Sequence, residues 1–586
     1  MKIDYSKDLL LTEFSHKTLE DRYLVGDEVS PQQAFARAAK AFADDDDHAQ
    51  RLYDYASNLW FMFSTPVLSN GGTERGMPIS CFLNYVEDSR EGITDHYTEN
   101  AYLSSFGGGI GGSWSAVRSQ GTKTSKGSES TGAIPFMKVV DAEMLAFSQG
   151  VTRRGSYAGY LHITHPEIEE FLDIRKATGG DINRKCTNLH HGIVINDKFM
   201  EVIHRATKEE NFDDSWELID PHTQQVKKVV SARTLWVKLL QNRMETGEPY
   251  LMFEDAVNQD LPEFQKKKGL YVNHSNLCSE ITLATNEERT AVCCLSSVNL
   301  EYYDLWSKIP AFIPDLVRML DNVLQHFIDN APEQMEKAKY SAMRERSIGL
   351  GAMGYHAYLQ KNQIAFESIG ASAANYKMFK HIKEDALQET RRLAVERGAC
   401  PDDDSCEVRN AHLLAIAPNA SSSIICGNTS PSIEPFRANA YTQKTKSGSH
   451  LQKNKYLEVL LETKDANTEA VWRDIVSNKG SVQHLEILSE DEKDIFKTAV
   501  EINQSWVVEH AAQRQEFVCQ SQSVNLFFPP DVTKGDLHNV HMLAWAKNLK
   551  TLYYLRSEAI SRADNVSNQV KREVIFEQED CLACEG

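Results

Sequence analysis

The stretch Asn276-Leu-Cys-Ser-Glu280 constrains the chain more than any other, because it sets an amide, a thiol and a carboxylate at alternate positions. Side chains alternate between two faces in extended backbone, so Asn276, Cys278 and Glu280 would project to one side. Two further thiols, Cys81 and Cys293, stand in other segments. One thiol beside a carboxylate and a separate thiol pair indicate radical or redox chemistry. The alternative is three unrelated core cysteines, a common use of this residue.

The composition is typical of a large globular protein in a reducing compartment. The 586 residues, 41% of them hydrophobic, allow two to four domains or one oversized catalytic domain. A net charge of -20 without a long Lys/Arg block argues against a nucleic-acid partner. The sequence has no run of about 18 apolar residues, so no membrane span is predicted. The N-terminus lacks the apolar core of a signal peptide. Eleven scattered cysteines do not suggest a secreted disulfide framework, so we expect a cytoplasmic protein.

Helices dominate the predicted secondary structure. Residues 1–63 are expected to be helical, with Ser30 as an N-cap and Pro31 at the first helical position. A buried strand is predicted over Leu413–Pro418. The further helices are predicted over 88–106, 134–149, 231–257, 311–345 and 371–398.

Three glycine-rich stretches are candidates for ligand contacts. Gly107–Gly112 is predicted to be a tight ligand-facing loop, because successive glycines permit close backbone approach. Gly150–Gly155 carries the guanidinium groups of Arg153 and Arg154, which suit phosphate or a polar base edge. Ser347–Gly354 contains a literal G-x-G-x-x-G, but a charged helical segment precedes it instead of a strand. A dinucleotide-binding fold is therefore disfavoured.

Two more segments are candidates for binding and redox chemistry. Asn419–Ile424 is a hydroxyl-rich turn into a helix, where N–H groups and the helix dipole favour a phosphate. The same hydroxyls would also serve as plain N-caps. Cys581 and Cys584 form a C-x-x-C at the end of a polar tail, and no second matching pair completes a zinc site. A dithiol on a mobile tail is better suited to carrying reducing equivalents.

Together these motifs resemble the large, catalytic subunit of class I ribonucleotide reductase, over almost the whole chain from about residue 63. Each motif alone is weak, whereas their order and joint presence are specific. The motifs that carry the resemblance are Ser64–Asn70, Ser80-Cys81, Gly108–Gly111, Ser148–Gly155, Asn276–Glu280, Ala291–Cys293, Ala417–Ser423, Tyr553-Tyr554 and the C-terminal C-x-x-C.

The resemblance implies the fold and the domain arrangement. The fold would be an α/β barrel of ten strands, in two parallel halves of five strands joined antiparallel, with a central finger loop that holds Cys278. A helical region over 1–62 would precede the barrel at 63–556, and 557–586 would form a flexible redox tail. Because the shared sequence begins by about residue 63, no room is left for the N-terminal nucleotide domain of many relatives. We therefore expect no overall on/off control by dATP through such a domain.

The resemblance also implies a radical mechanism on a ribonucleoside diphosphate. Cys278 would become a thiyl radical and take the 3′-hydrogen of the substrate. Glu280 would act as the base on the 3′-hydroxyl, and Asn276 would bond the ribose. The product would be a 2′-deoxyribonucleotide for DNA synthesis.

Four cysteines would supply the electrons. By the resemblance, Cys81 and Cys293 would reduce the 2′-position and end as a disulfide. Cys581 and Cys584 would reduce that disulfide by thiol exchange, and thioredoxin or glutaredoxin would reload them. Cys294 stands beside Cys293 and leaves the partner open, although the family's Ala-x-Cys pattern favours Cys293.

The resemblance implies two groups of binding residues, one for the substrate and one for an effector. The substrate group includes Ala420, where many relatives have Glu, so the phosphate preference stays open. A dNTP or ATP effector that sets substrate specificity would bind at a homodimer interface built from 88–106 and 134–149. The substrate-binding residues would be Thr65, Ser80, Gly109, Pro418, Asn419, Ala420, Ser421 and Ser422. The effector-binding residues would be Asp88, Arg118, Gln149, Arg153 and Arg154.

The pair Tyr553-Tyr554 decides the class of reductase. In class I enzymes such a pair receives the radical from a separate, metal-containing small subunit, so no metal or other cofactor is expected in this chain. The cobalamin-dependent class needs no such pair, and no glycyl-radical motif is apparent near the C-terminus. The alternatives are a cobalamin-dependent reductase, a nucleotide-binding thiol–disulfide protein and, more remotely, a dehydrogenase.

Overall fold

The structure, a computed structural model, describes residues 1–79, 81–147, 155–445 and 448–557. Within these ranges no helix is both long and apolar enough to cross a membrane.

Helices and short strands alternate along most of the chain. The helices are α1 Glu13–Arg22, α2 Pro31–Ala41, α3 Asp46–Ser57, α4 Thr65–Asn70, α5 Arg90–Ser105, α6 Ile134–Ala146, α7 Ile168–Leu172, α8 Asp197–Lys208, α9 Ala232–Thr246, α10 Glu254–Gln259, α11 Glu263–Lys267, α12 Tyr303–Trp306, α13 Phe312–Asn330, α14 Glu336–Glu345, α15 Tyr355–Lys361, α16 Ile369–Arg397, α17 Ala420–Ile425, α18 Lys455–Thr463, α19 Glu469–Ser477, α20 Glu490–Ile495, α21 Gln504–Gln515 and α22 Lys534–Ala546. The strands are β1 Phe61–Phe63, β2 Cys81–Tyr85, β3 Gly109–Ser113, β4 Ser156–His162, β5 His190–Ile195, β6 Ser215–Ile219, β7 Val226–Ser231, β8 Tyr250–Phe253, β9 Ala291–Asn299, β10 Ile348–Met353, β11 Ala440–Thr445, β12 Gly448–Lys453, β13 Leu526–Phe528, β14 Thr551–Leu552 and β15 Leu555–Ser557. Short 3₁₀ helices span Tyr5–Leu10, Ile182–Arg184, Leu300–Tyr302 and Glu333–Met335.

The helices near the N-terminus begin where their caps predict. Ser30 forms a capping box with Gln33, and Pro31 is the first residue of α2, as expected. Tyr55 of α3 packs edge-on against Phe312 of α13, with ring centroids 4.8 Å apart. These helices therefore share one hydrophobic core with the rest of the chain.

Eight strands and two extended segments form the predicted α/β barrel. One half is the parallel sheet β2-β3-β4-β5-β8. The other half starts with β9 and β10, which are also parallel, and continues through segments 413–416 and 520–524 to β14. The halves meet antiparallel at β2–β9 and at β8–β14. Backbone bonds complete the second half from Leu350 N to Leu413 O (2.8 Å), from Ile416 N to Ser521 O (3.0 Å) and from Tyr553 N to Val524 O (2.9 Å).

The loop between α11 and β9 runs through the barrel interior as the predicted finger loop. On one side His274 Nε2 lies 3.0 Å from Gly111 O of β3. On the other side Ser521 N donates to Glu280 O at 2.9 Å, in the second half of the barrel. The loop therefore bridges both halves.

The glycine-rich stretch 107–112 is mostly strand β3 and not the loop that the sequence suggested. One of its glycines is required where the finger loop passes the strand. A Cβ added at Gly111 would lie 2.1 Å from Ser275 O and 2.8 Å from Asn276 Cα. Only glycine lets the finger loop pass this close to the strand.

Three other predicted elements have different bounds. The helix expected over 231–257 ends as α9 at Thr246, because Gly247 adopts a left-handed φ of 83°, and β8 and α10 follow. The helix expected over 311–345 is divided into α13 and α14 around Pro332. The G-x-G-x-x-G stretch begins as barrel strand β10, which agrees with the rejection of a dinucleotide site.

Replacing Gly111 with alanine should lower the free energy of unfolding by about 3 kcal/mol, because the new methyl would overlap backbone atoms that cannot move independently. Urea denaturation measures the change. Gly535→Ala in α22 is the matched control, since its added Cβ meets only Thr533 Oγ1, at 3.6 Å. The control should be neutral or slightly stabilising. Equal stabilities of the two variants would contradict the close approach at Gly111.

Candidate active site

Cys278 lies on a tight turn, not on extended backbone. Ser279 has a left-handed φ of 65°, and its N–H donates to Asn276 O at 3.3 Å. The alternating geometry expected for this stretch is therefore wrong. The side chains of Asn276, Cys278 and Glu280 are nevertheless each at most 2% exposed.

Groups from the surrounding barrel hold the turn by its backbone carbonyls. Buried carbonyls without partners are costly, so the barrel must supply donors. The bonds run from Tyr160 Oη to Asn276 O (2.7 Å), from Ser523 Oγ to Cys278 O (2.5 Å), from Thr551 Oγ1 to Ser279 O (2.8 Å) and from Ser521 N to Glu280 O (2.9 Å). Four of the five carbonyls from Asn276 to Glu280 are therefore held, which fixes the position of the Cys278 thiol.

One polar group of the turn lacks a partner in the described part of the chain. Glu280 Oε2 lies 3.3 Å from Ser523 Oγ. Asn276 Oδ1 accepts from Ile281 N at 3.1 Å, whereas its Nδ2 has no hydrogen-bond partner among the described residues. A buried amide donor without a partner calls for an explanation, and an oxygen of a bound ligand would satisfy it.

Cys81 and Cys293 face each other where the two barrel halves meet. The register of β2 and β9 pairs them directly, and Gly109 lies beside Cys81 in the same row. Opposed residues of antiparallel strands have Cα atoms about 4.5–5.5 Å apart, a separation that a disulfide spans. The Cys294 thiol instead donates to Leu320 O at 3.3 Å, toward α13. The geometry favours Cys293 over Cys294 as the partner of Cys81.

Burial favours the protonated form of the Cys293 thiol. Burial raises its pKa well above the ordinary value, although Gln520 Nε2, 3.6 Å from the sulfur, acts in the opposite direction. A protonated thiol can deliver a proton together with electrons. No sequence motif marks Gln520, because its contact with Cys293 depends on the pairing of 520–524 with its neighbour in the barrel.

Two helix starts, α4 and α17, are anchored to neighbouring residues of β9. Ser64 N donates to Ser296 Oγ at 3.4 Å, and Asn419 Oδ1 accepts from Ser297 Oγ at 2.9 Å. Asn419 adopts a left-handed φ of 56° before α17. Ser64 Oγ is buried without a hydrogen-bond partner in the described part of the chain. The predicted residues Thr65, Pro418, Ala420, Ser421 and Ser422 lie at these two helix starts.

Tyr553 and Tyr554 follow β14 and belong to the same buried cluster as Cys278. Their ring centroids are 4.3 Å apart. Tyr250 of β8 packs against both, with centroids 4.8 and 5.1 Å away. Sequence reasoning missed Tyr250, because no motif marks it and only the pairing of β8 with β14 brings it to the pair.

Charged residues surround the ring of Tyr554. His190 Nδ1 lies 3.3 Å from Tyr554 Oη and 2.6 Å from Glu248 Oε1. Burial alone would raise the pKa of Glu248, but Arg175 and His190 outweigh it and lower this pKa well below its usual value. The Arg556 guanidinium lies 4.1 Å from the Tyr554 ring centroid. Tyr554 thus joins the apolar cluster to a charged one.

A cavity of about 370 Å³ lies beside the tyrosine pair. Tyr553 and Tyr554 line it together with Arg556, and Pro418 and Ala420 also line it. The cavity therefore connects the tyrosines with the start of α17.

The structure brings together two of the predicted effector residues. Arg118 Nε lies 2.9 Å from Asp88 Oδ2, and His222 Nδ1 lies 3.1 Å from the same oxygen. The sequence did not single out His222. The remaining predicted positions lie outside the described residues: Ser80, Gln149, Arg153, Arg154, Cys581 and Cys584.

Comparison with known proteins agrees with this geometry. The family model of the ribonucleotide reductase all-alpha domain matches residues 9–76, and that of the barrel domain matches 79–405 and 404–555. A ribonucleoside-diphosphate reductase large subunit of Invertebrate iridescent virus 3 is 44% identical over the full length of both chains. A putative ribonucleoside-diphosphate reductase large subunit of Frog virus 3 (isolate Goorha) is 48% identical over 92% of each chain.

A solved structure shows the same fold. The class Id ribonucleotide reductase alpha subunit of Actinobacillus ureae aligns with a TM-score of 0.82 and 34% identity, over 95% of this chain and 98% of that chain. The chain therefore belongs to the ribonucleotide reductase large-subunit family. Large subunits of this family carry no metal cofactor of their own and work with a separate small subunit.

Proposed function

We propose that this chain is the catalytic subunit of a ribonucleoside-diphosphate reductase, which makes 2′-deoxyribonucleotides for DNA synthesis. The observation that carries the proposal is the register that sets Cys81 opposite Cys293 inside the barrel that also holds the Cys278 turn. A radical thiol and a two-electron thiol pair are the two parts that this reduction requires. Both are buried, which keeps water away from reactive intermediates.

The radical step uses the turn residues. In this proposal the Cys278 thiyl takes the 3′-hydrogen of the ribose and becomes a thiol again. Glu280 accepts the proton of the 3′-hydroxyl. Nδ2 of Asn276, which has no partner among the described residues, donates to a ribose oxygen. The four backbone bonds of the turn hold the sulfur in place during transfer.

The reduction step uses the opposed cysteines. One thiol of Cys81 and Cys293 gives a proton to the departing 2′-hydroxyl, which leaves as water. The pair then supplies two electrons and a second proton, which goes to C2′, and becomes a disulfide, while Glu280 returns its proton to the 3′-oxygen. At the end of the cycle, Cys278 returns the hydrogen atom to C3′ and is a radical once more. Cys581 and Cys584 then exchange with the disulfide, and thioredoxin or glutaredoxin reduces them.

The diphosphate is proposed to bind between α4 and α17. Thr65, Ser421 and Ser422 would donate hydroxyl hydrogens to phosphate oxygens, with Ser80 and backbone groups near Gly109 completing the site. The support is the common anchoring of both helix starts on β9 and the buried Ser64 hydroxyl that lacks a partner in the described ranges.

The radical is proposed to enter through Tyr554 and Tyr553. A metal-containing small subunit would generate it and pass it to Tyr554, next to the 370 Å³ cavity. The contact of the two rings at 4.3 Å and their shared cluster with Cys278 support an inward route. Tyr250, in contact with both rings, fixes their relative orientation.

Activity with a metal-loaded small subunit tests the function. Cys278→Ser should abolish reduction of all four ribonucleoside diphosphates, because a serine hydroxyl does not form the radical. Tyr553→Phe should do the same by interrupting the route. Deoxynucleotide formation and the radical signal of the small subunit are measured together. The exposed Cys406 supplies the control Cys406→Ser, which should keep full activity. Turnover by Cys278→Ser would exclude the mechanism.

We also propose a cytoplasmic homodimer whose α5 and α6 bind a dNTP or ATP effector through Asp88, Arg118 and the loop of Gln149, Arg153 and Arg154. The exposed Tyr102, Val139 and Leu145 on these helices support an apolar interface there.

An added dNTP should change the relative reduction rates of the four substrates, and Asp88→Asn should weaken this response. The measurement is a competition assay with all four diphosphates present. Relative reduction rates that stay the same with every added dNTP would contradict the effector site.

A further inference from the structure

We infer that Tyr23, at the end of α1, is a positioning residue that aims the Thr65 hydroxyl at the diphosphate of the substrate. Tyr23 Oη lies 3.0 Å from Thr65 Oγ1, and both side chains are buried. The inference rests on the proposed function, which places Thr65 in the phosphate site. It adds to that site a residue from the N-terminal helices.

The direction of the bond follows from the chemistry of the ligand. A hydroxyl has one hydrogen to donate, and phosphate oxygens can only accept. Thr65 can therefore donate to phosphate only if Tyr23 donates to Thr65. The chain of donors is then Tyr23 Oη to Thr65 Oγ1 to a phosphate oxygen. Bonds in such a chain strengthen one another in a buried site.

The N-terminal helices also hold α4 at its other end. Arg37 Nη1 donates to Leu68 O at 3.0 Å and to Gly71 O at 2.6 Å. Arg37 Nη2 donates to Tyr23 O at 3.1 Å. One guanidinium thus ties the backbone of Tyr23 to the end of α4, while the phenol of Tyr23 holds its start. This double attachment keeps the spacing between the two hydroxyls constant.

A second bond from α1 reaches the other helix of the phosphate site. Ser15 Oγ donates to Ile424 O of α17 at 2.6 Å. Helix α1 therefore contacts α17 directly and α4 through Tyr23. The two parts of the site are far apart in sequence, and α1 holds them in one arrangement before the substrate arrives, which lowers the cost of binding.

The test is the affinity of the full-length chain for CDP and for cytidine, measured by calorimetry, with KM and kcat of the assembled enzyme alongside. Tyr23→Phe keeps the ring and removes only the hydroxyl. We expect Kd and KM for CDP to rise roughly fivefold, the effect of one lost hydrogen bond, with kcat and cytidine affinity nearly unchanged. The matched control is Tyr53→Phe in α3, whose buried hydroxyl bonds Gln32 Oε1 at 3.1 Å, away from the site. It should leave CDP affinity unchanged.

A double-mutant cycle with Thr65→Val separates positioning from general stability. If Tyr23 acts through Thr65, Tyr23→Phe should have no further effect on CDP affinity in the Thr65→Val background. An equal loss in both backgrounds, an equal loss for cytidine, or no loss at all would overturn the role of Tyr23. A wild-type chain that neither binds nor reduces CDP would instead remove the proposed function, and this inference with it.

Discussion

The structure depends on the hydrogen bonds that hold a turn of backbone inside a closed barrel. A loop through a protein interior must find partners for its carbonyls and N–H groups. Here Tyr160 and Ser523 supply side-chain donors, and Ser521 supplies a backbone N–H. The donors come from both halves of the barrel, so the turn is correctly held only when the barrel is closed. The reactive thiol is thereby placed by the whole fold and not by its local sequence.

The antiparallel junction of the two halves is the second constraint on the site. Within a parallel half, neighbouring strands are joined by long crossovers and their residues are paired in a slanted pattern. The junction of β2 and β9 instead sets Cys81 and Cys293 directly opposite each other. The same antiparallel relation at the other junction brings Tyr250 of β8 to the tyrosines that follow β14. The thiol pair and the tyrosine cluster thus each lie at one of the two junctions.

Much of the fold and site followed from the sequence because its motifs are specific in combination. The α/β barrel, the finger loop and the α2 capping box were predicted and are present. The prediction of extended backbone over 276–280 was wrong, because a pattern of alternating residue types carries no information about the positive φ of Ser279. The stretch 107–112 was predicted to be a loop and is mostly strand β3, since a sequence cannot show that Ser275 passes against Gly111. Tyr250, Gln520 and Tyr23 were missed for one reason. Each acts through a partner more than forty residues away, and none lies in a local pattern.

The central claim is that Cys81 and Cys293 supply the electrons for a reaction begun at Cys278. A single-turnover experiment tests this claim most directly. The chain carrying Cys581→Ser and Cys584→Ser is reduced, freed of reductant, and mixed with small subunit and CDP. The deoxycytidine diphosphate formed is then quantified, and the disulfides are mapped by mass spectrometry. We expect at most one product per chain, matched by one Cys81–Cys293 disulfide, with Cys294 remaining a thiol. Product formed without that disulfide, or a disulfide that includes Cys294, would contradict this mechanism.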